Sequence, residues 1–385
     1  MIKIHSKKDC SGCTACFSVC PKQAIEMVED KTGNFYPSVN REKCIDCQKC
    51  NTICPILSTV SYNGCMEYDI KSFLAWNNDE RIRKQSTSGG IFSALAISVL
   101  EHNGVIAGVH FDDDKKAVHT IIDNENDLFQ LYKAKYVQSD IQGVFNRVKS
   151  CLCNNVTVLF SGTPCQVAGL KSFLGKEYDW LITIEVICHG VVSQRIFDKY
   201  LLSLEAHSKK KISYYEFRNK TPGWKDYSSL IRYNDNSFSS IPKEEDTYLK
   251  GYLDYSLFLR PSCTECRFKG FPRVADITLG DFWGIESFYP DDNKGISAVL
   301  VNSTKGEQLF SSVNSKIHYK EVEINSIISG NLSLVESTQL GDYSGYFYKH
   351  FEKKDFIDLI HKIENKDYFS KLNYKEKIAY LIKRK

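Results

Sequence analysis

Between residues 71 and 187 apolar runs and helix-spaced segments take turns along the chain. FLAW (73–76), GVIAGVHF (104–111), VTVLF (156–160) and LITIEVI (181–187) read as strands, several of them apolar throughout, as strands covered on both faces are. Between them GIFSALAISVLEHNG (90–104) and IQGVFNRVKSCL (141–152) carry helical periodicity, and His102-Asn103-Gly104 supplies a stop signal. This order predicts a substantially parallel sheet. From Lys211 the pattern changes. KISYYEF, YSSLIRYNDNSF and ISAVLVN alternate or run short between turn residues, which predicts antiparallel strands. The last forty residues are helix-like and basic, with eleven Lys/Arg against six Asp/Glu. Because the acids are interspersed, docking helices fit better than a membrane-surface helix.

Ahead of these elements the chain repeats itself. Cys10, Cys13, Cys16, Cys20 and Pro21 recur 34 residues later as Cys44, Cys47, Cys50, Cys54 and Pro55. C-x2-C-x2-C-x3-C-P is the bacterial 4Fe–4S signature, and two copies predict two clusters. By the cross-ligation rule, Cys10, Cys13 and Cys16 with Cys54 hold one cluster, and Cys44, Cys47 and Cys50 with Cys20 the other. A pair of zinc sites is the competing reading, but zinc seldom uses three cysteines at this double spacing before Cys-Pro. Fifteen cysteines in 385 residues, a net charge of +3, no apolar signal core and no apolar run of spanning length together predict a cytoplasmic metalloprotein without a transmembrane segment. Nothing in the charge balance points to nucleic acid.

A one-electron wire must end at something that does chemistry, and a flavin can exchange single electrons on one side and hydride on the other. The candidate pyrophosphate cradle is Ser86-Thr-Ser-Gly-Gly-Ile-Phe92, ahead of a helix; an ordinary helix cap is the plainer reading of the same residues. No G-x-G-x-x-G follows the first strand. Of the remaining cysteines, Cys263 and Cys266 form a C-x-x-C pair that could be redox-active, zinc-binding or half of an iron–sulfur site. Cys165 and Cys188 each lie just past the carboxyl end of a predicted strand, so the four form a plausible third thiolate cage if those strands are parallel neighbours. Cys65, Cys151 and Cys153 suit packing or incidental roles. A cysteine nucleophile made of Cys165 with His189 is a third reading, which Pro164 and the strand-edge position disfavour.

In order, STSGGIF, KAKYVQSD, FSGTPCQVAGL, ICHGVVS, FRNKTPGW, RPSCTEC, DITLGDFWGI and GISAVLVNSTKG resemble the coenzyme F420 hydrogenase/dehydrogenase β-subunit family. The resemblance implies FAD and iron–sulfur chemistry over roughly residues 8–310. It implies that Ser88, Gly89 and Gly90 face the FAD phosphates, and that Lys135, Tyr136, Gly162, Thr163 and Gln166 contact the flavin or its pyrophosphate. It also implies a 4Fe–4S cluster on Cys165, Cys188, Cys263 and Cys266. The fold expected is α+β: a dicluster ferredoxin module (1–60), a mixed α/β FAD and iron–sulfur domain (61–345) and a basic helical tail (346–385).

Arg218, Lys220, Trp224 and Lys225 form a basic-aromatic group, and Arg260, Arg267, Lys269 and Arg273 surround the C-x-x-C. They either grip an anionic substrate or offset the charge of cluster and cofactor. His189 is the candidate proton donor, with plain hydrogen bonding beside the cluster as its alternative. Asp276, Asp281 and Trp283 could serve a turn or catalysis. The function expected is an oxidoreductase passing electrons between a ferredoxin-like or deazaflavin/nicotinamide donor and a small anionic substrate. The alternative is an electron-relay subunit without a substrate site. Self-association is compatible with either.

Overall fold

In the computed structural model, residues 1–57, 69–141, 143–287 and 289–371 are described; Cys65 and the end of the basic tail lie outside them. The cysteine-rich module holds two short helices, α1 (Ala15–Val19) and α2 (Lys49–Thr52), and an antiparallel hairpin of β1 (Ile25–Glu29) and β2 (Phe35–Val39). Then follow β3 (Lys71–Asn77), α3 (Glu80–Gln85), α4 (Ile91–Glu101), β4 (Val105–Phe111), β5 (Ala117–Ile122), α5 (Val144–Cys153), β6 (Val158–Gly162), α6 (Pro164–Leu174), β7 (Leu181–Val186) and α7 (Gln194–Ser208). The second half carries β8 (Ile212–Asn219), β9 (Ser228–Tyr233), β10 (Phe238–Pro242), α8 (Thr247–Leu249), β11 (Ile277–Asp281), β12 (Ser297–Val301), α9 (Thr304–Ser312), β13 (Ile317–Glu321), α10 (Ile324–Gly330), α11 (Ser344–His350) and α12 (Phe356–Lys371).

Eight strands form one mixed sheet in the order β13-β3-β12-β11-β7-β6-β4-β5. Its centre is parallel: β4 pairs β6, β6 pairs β7 and β7 pairs β11 in the same direction. β12 enters antiparallel between β11 and β3, so FLAW lies in the sheet but away from the other early strands. The all-apolar runs are explained by cover on both faces. α4 and α9 bury Ile91, Leu95, Leu309 and Phe310 on one side. On the other, α5 and α6 bury Phe145, Val148, Val167 and Leu170 together with Ile2, Ala15, Ile25 and Ile56 of the cysteine-rich module. That module therefore shares the core of the main sheet.

The antiparallel expectation after Lys211 is met by a separate three-stranded sheet, β10-β9-β8, whose inner face packs on α7. The tail enters the same core. Phe347, Phe351, Phe356, Leu359, Ile360 and Ile363 are buried against Tyr200, Tyr248 and Phe258. Among the described residues, no helix is long and apolar enough to cross a membrane.

Candidate functional site

The structure places the ferredoxin cysteines in two groups, Cys20 near Cys44, Cys47 and Cys50, and Cys54 near Cys10, Cys13 and Cys16. Cys20, Cys44, Cys47 and Cys50 line one small cavity beside Pro21 and Ile45, with Cys47 exposed. Cys10, Cys13, Cys16 and Cys54 are buried together: burial pushes the Cys13 thiol up to about 12, and Cys54 and Cys10 add repulsion. Cys16 is raised well above its ordinary range by burial, then by Cys13, Cys10 and Cys54. Without a cation at its centre such a quartet holds protonated thiols; metal binding reverses this by taking the protons' place.

The third quartet forms because β6 and β7 are parallel neighbours, which brings the residues after both carboxyl ends to one edge. Cys165 opens α6 and Cys188 follows β7. Cys263 and Cys266 come from the loop after Arg260, and the Cys263 N–H donates to the Arg260 carbonyl at 2.9 Å. Burial raises Cys165 well above the usual thiol range, and Cys188, Cys266 and Cys263 repel its charge further. Tetrahedral zinc at Zn–S of about 2.3 Å would bring its sulfurs within roughly 4 Å of each other. Among the described residues, the only three or more His, Cys, Asp or Glu ligand atoms mutually within 4.8 Å belong to His207, Asp355 and Asp358. Among the described residues no three of these cysteine sulfurs lie mutually within 4.8 Å.

The quartets line up. Gly169, one helical turn after Cys165 on α6, faces Cys13: a Cβ there would stand 2.8 Å from the Cys13 Cβ. Four residues of helix advance about 6 Å, so the inner ferredoxin quartet and the third one are close neighbours along α6.

Beyond the third quartet lies a cavity of about 690 Å³, within the span of cofactor pockets. Ser88, Gly90, Lys135, Tyr136, Gly162, Thr163, Gln166, Cys188 and His189 all line it. Gly89 does not. Its N–H donates to Ser297 Oγ at 3.0 Å, and a Cβ would stand 2.4 Å from the Ala75 carbonyl, so it lets the loop close on β3 rather than meet a ligand. Gly90, at φ +83°, turns the chain into α4, whose first turn has no side-chain cap and presents Ile91, Phe92 and Ser93 to the cavity. Free N–H groups there suit phosphate. Lys220 and Arg83 hold this loop from behind. Lys220 Nζ donates to the carbonyls of Arg83, Ser88 and Lys294 at 2.7–2.8 Å, and Arg83 pairs with Asp292 and the Gly295 carbonyl.

At the cluster end, Thr163-Pro-Cys-Gln166 is a helix-capping sequence, in which the Thr163 N–H donates to Gln166 Oε1 at 3.0 Å. Gln166 Nε2 donates to Ser139 Oγ, and Ser139 bonds Nδ1 of buried His119, whose Nε2 meets the Ser161 carbonyl. The Ser161 carbonyl requires the proton on Nε2, and burial, which lowers the pKa to about 4, keeps the ring neutral so that Nδ1 accepts from Ser139. His119 and Ser139 were not singled out from sequence, although Ser139 lies in KAKYVQSD. His189 is engaged at both nitrogens, Nε2 by the Tyr252 carbonyl at 3.2 Å and Nδ1 by Thr338 Oγ1 at 3.3 Å, and does not meet Cys165. The nucleophile pair is therefore not formed.

The basic groups separate by role. Arg218 lines the cavity, paired with Asp281 through Nη1 while Nε and Nη2 have no hydrogen-bond partner. Its guanidinium lies over Tyr227 and Trp283, at 4.3 and 5.2 Å. Trp224 is buried, donates to Asp281 at 2.8 Å and stacks on Trp283. Lys225 is at the surface with Asp291 and Glu286. Lys269 donates to the Cys188 and Ser333 carbonyls, Arg267 to the Ile56 carbonyl, and Arg273 to buried Glu185. Asp276 is structural, bonding Thr183 and Ser303. So the residues around the C-x-x-C brace the cluster loops, and Arg218 alone of these cations stands on the cavity wall.

A sheet edge with three thiolate quartets leading to one cavity defines an iron–sulfur oxidoreductase architecture. The chain belongs to the coenzyme F420 hydrogenase/dehydrogenase beta-subunit family. The family's N-terminal model matches residues 72–146 and its C-terminal model residues 156–326, together more than half of the chain, and a 4Fe-4S dicluster domain matches residues 9–56. It is 24% identical over 338 residues to a coenzyme F420-dependent sulfite reductase of Methanocaldococcus jannaschii, covering 82% of this chain and 48% of that one. A polyferredoxin-like protein of the same organism is 40% identical over 57 residues, 13% of this chain and 34% of the relative. The chain thus spans half or less of these relatives. A chain of the F420-reducing NiFe hydrogenase complex from Methanosarcina barkeri superposes with a TM-score of 0.44 at 15% identity, over 77% of this chain and 91% of that one.

Proposed function

We propose that the chain is an FAD- and 4Fe–4S-dependent oxidoreductase that passes electrons between a one-electron protein partner and a small anionic substrate. The observation that carries this reading is that Thr163 and Cys188 border both the third cysteine quartet and the large cavity. FAD, when bound, supplies exchange between single electrons and hydride. The N-terminus of α4 and the Ser86–Gly90 loop would hold its phosphates, and Gly162, Thr163 and Gln166 would border the ring beside the cluster. Arg218, with two unpartnered nitrogens, is the wall cation available to an anionic group. His189, tied at both nitrogens, is read as a brace for the Cys188 loop rather than a proton donor. Val186 and Leu332 on the cavity lining are exposed, so the mouth admits a small molecule, which favours a substrate site over a sealed relay.

Anaerobic purification with iron, sulfide and flavin analysis tests the reading. Roughly twelve iron atoms and about one flavin per chain are expected. Protein with full iron and no flavin would end it. Reduction with deazaflavin, nicotinamide and ferredoxin donors then separates the donor classes.

A further inference from the structure

Among the described residues four arginines are buried: Arg83, Arg218, Arg260 and Arg273. Three pair with carboxylates, Asp292, Asp281 and Glu185 respectively. Arg260, 1% exposed, has no carboxylate within 4.0 Å among the described residues. Its Nε donates to the Cys10 carbonyl at 2.8 Å, Nη1 to Gln138 Oε1 at 3.0 Å and Nη2 to the Phe35 carbonyl at 2.8 Å. Nη2 also lies 3.7 Å from Cys10 Sγ, and the guanidinium covers the Tyr36 ring at 4.6 Å. The approach is built in. Gly12, at φ +71° between Cys10 and Cys13, has no room for a side chain, because a Cβ would stand 2.8 Å from Nη1. On the other side the Arg260 carbonyl takes the Cys263 N–H, so one residue touches a ligand of the inner ferredoxin quartet and a ligand of the third quartet.

A buried cation without a counter-charge is costly, and neutral carbonyls only partly offset it. The negative charge in reach is a thiolate-bound cluster, whose charge grows on reduction. A fixed cation and an N–H···S contact both favour the reduced state. We propose that Arg260 is the counter-ion of the inner cluster, on Cys10, Cys13, Cys16 and Cys54, and holds it at a higher potential than the outer cluster. One electron then leaves the outer cluster and comes to rest on the inner one, beside the cavity domain, with no bond or proton moved. Arg260 acts through the cluster and is a positioning residue. The inference rests on the dicluster reading and not on the flavin.

The test is potentiometric titration of the full chain with dithionite, followed by the electron paramagnetic resonance of the reduced clusters, whether or not flavin is retained. Arg260→Gln removes the charge and keeps an amide donor. Gln138→Glu leaves the guanidinium in place and cancels its charge. Both should shift the electron at least tenfold toward the outer cluster, a relative change of about 59 mV for one electron. Arg260→Lys should recover part of it. Fully loaded variants with unchanged potentials, or with both clusters shifted alike, would overturn the proposal. So would loss of the inner cluster from Arg260→Gln while Gln138→Glu stays loaded and unshifted, which would make Arg260 a strut. Loss from both variants would do the same, since a counter-ion predicts proteins that keep iron and change potential.

Discussion

At the scale of single residues the consequential groups are those whose chemistry depends on what surrounds them. Cys165 is half-buried, with the core contacts of a packed thiol, the helix-start position of a nucleophile and the neighbours of a ligand. Its high proton affinity, and the engagement of both His189 ring nitrogens by Tyr252 and Thr338, argue against the nucleophile. Cys165→Ala should therefore lower iron from roughly twelve to eight atoms per chain and leave both ferredoxin clusters in place. An unchanged iron count would return it to the packed thiols. His119 makes a prediction about pH. Its folded pKa, about 4, lies below the ordinary 6.5, so between these values the unfolded chain binds the extra proton. Stability from this group is complete above pH 6.5 and is lost as pH falls toward 4, by up to about 3 kcal/mol. Anaerobic denaturation at pH 7.5 and 5.5 should show about 1 kcal/mol of extra acid sensitivity in the native chain over His119→Asn; equal sensitivity would contradict the buried neutral imidazole.

At the scale of elements the tail changes meaning. Sequence periodicity identifies helices after residue 346, and α11 and α12 are there, but they close the aromatic core of α7, β8 and β9. Phe356, fully buried, meets Tyr200, Tyr248, Phe258 and Phe347. Phe356→Ala should cost about 3–5 kcal/mol, read as a fall in the denaturation midpoint, and a cost under about 1 kcal/mol would mean the tail is peripheral. This contrast explains what was legible. Strand and helix identities in 71–187 follow from local period, and ligand spacing in 10–55 from covalent reach, so both are written in adjacent residues. The place of β12 between β11 and β3, the inward turn of Gly89, the Arg260 bridge and the bond from Ser139 to His119 depend on contacts between residues far apart in the chain. No local pattern encodes those. Thr163-Pro-Cys-Gln166 is the intermediate case: its capping sequence is local, and its second use as cavity wall is not.

At the scale of the whole molecule the three quartets lead to the cavity, and of their twelve cysteines Cys47 alone is exposed. Cys47 is exposed while all four inner ligands, Cys10, Cys13, Cys16 and Cys54, are buried, so a protein donor can approach the outer cluster and not the inner one. On the proposed function a hydride donor would enter separately, where the cavity lining is exposed at Val186 and Leu332. The two routes should therefore separate in Cys47→Ala. Iron should fall from roughly twelve to eight atoms, with the resonance of the inner cluster retained. Reduction of bound flavin by reduced ferredoxin should slow by about tenfold or more, equivalent to at least about 1.4 kcal/mol of added barrier. Reduction by whichever hydride donor the native protein accepts should keep its rate, because no part of that route touches Cys47. If both rates fell together, the quartets would not be in series with the cavity. If neither fell, protein donors would reach the chain elsewhere, and the outer cluster would be a side branch rather than the entrance.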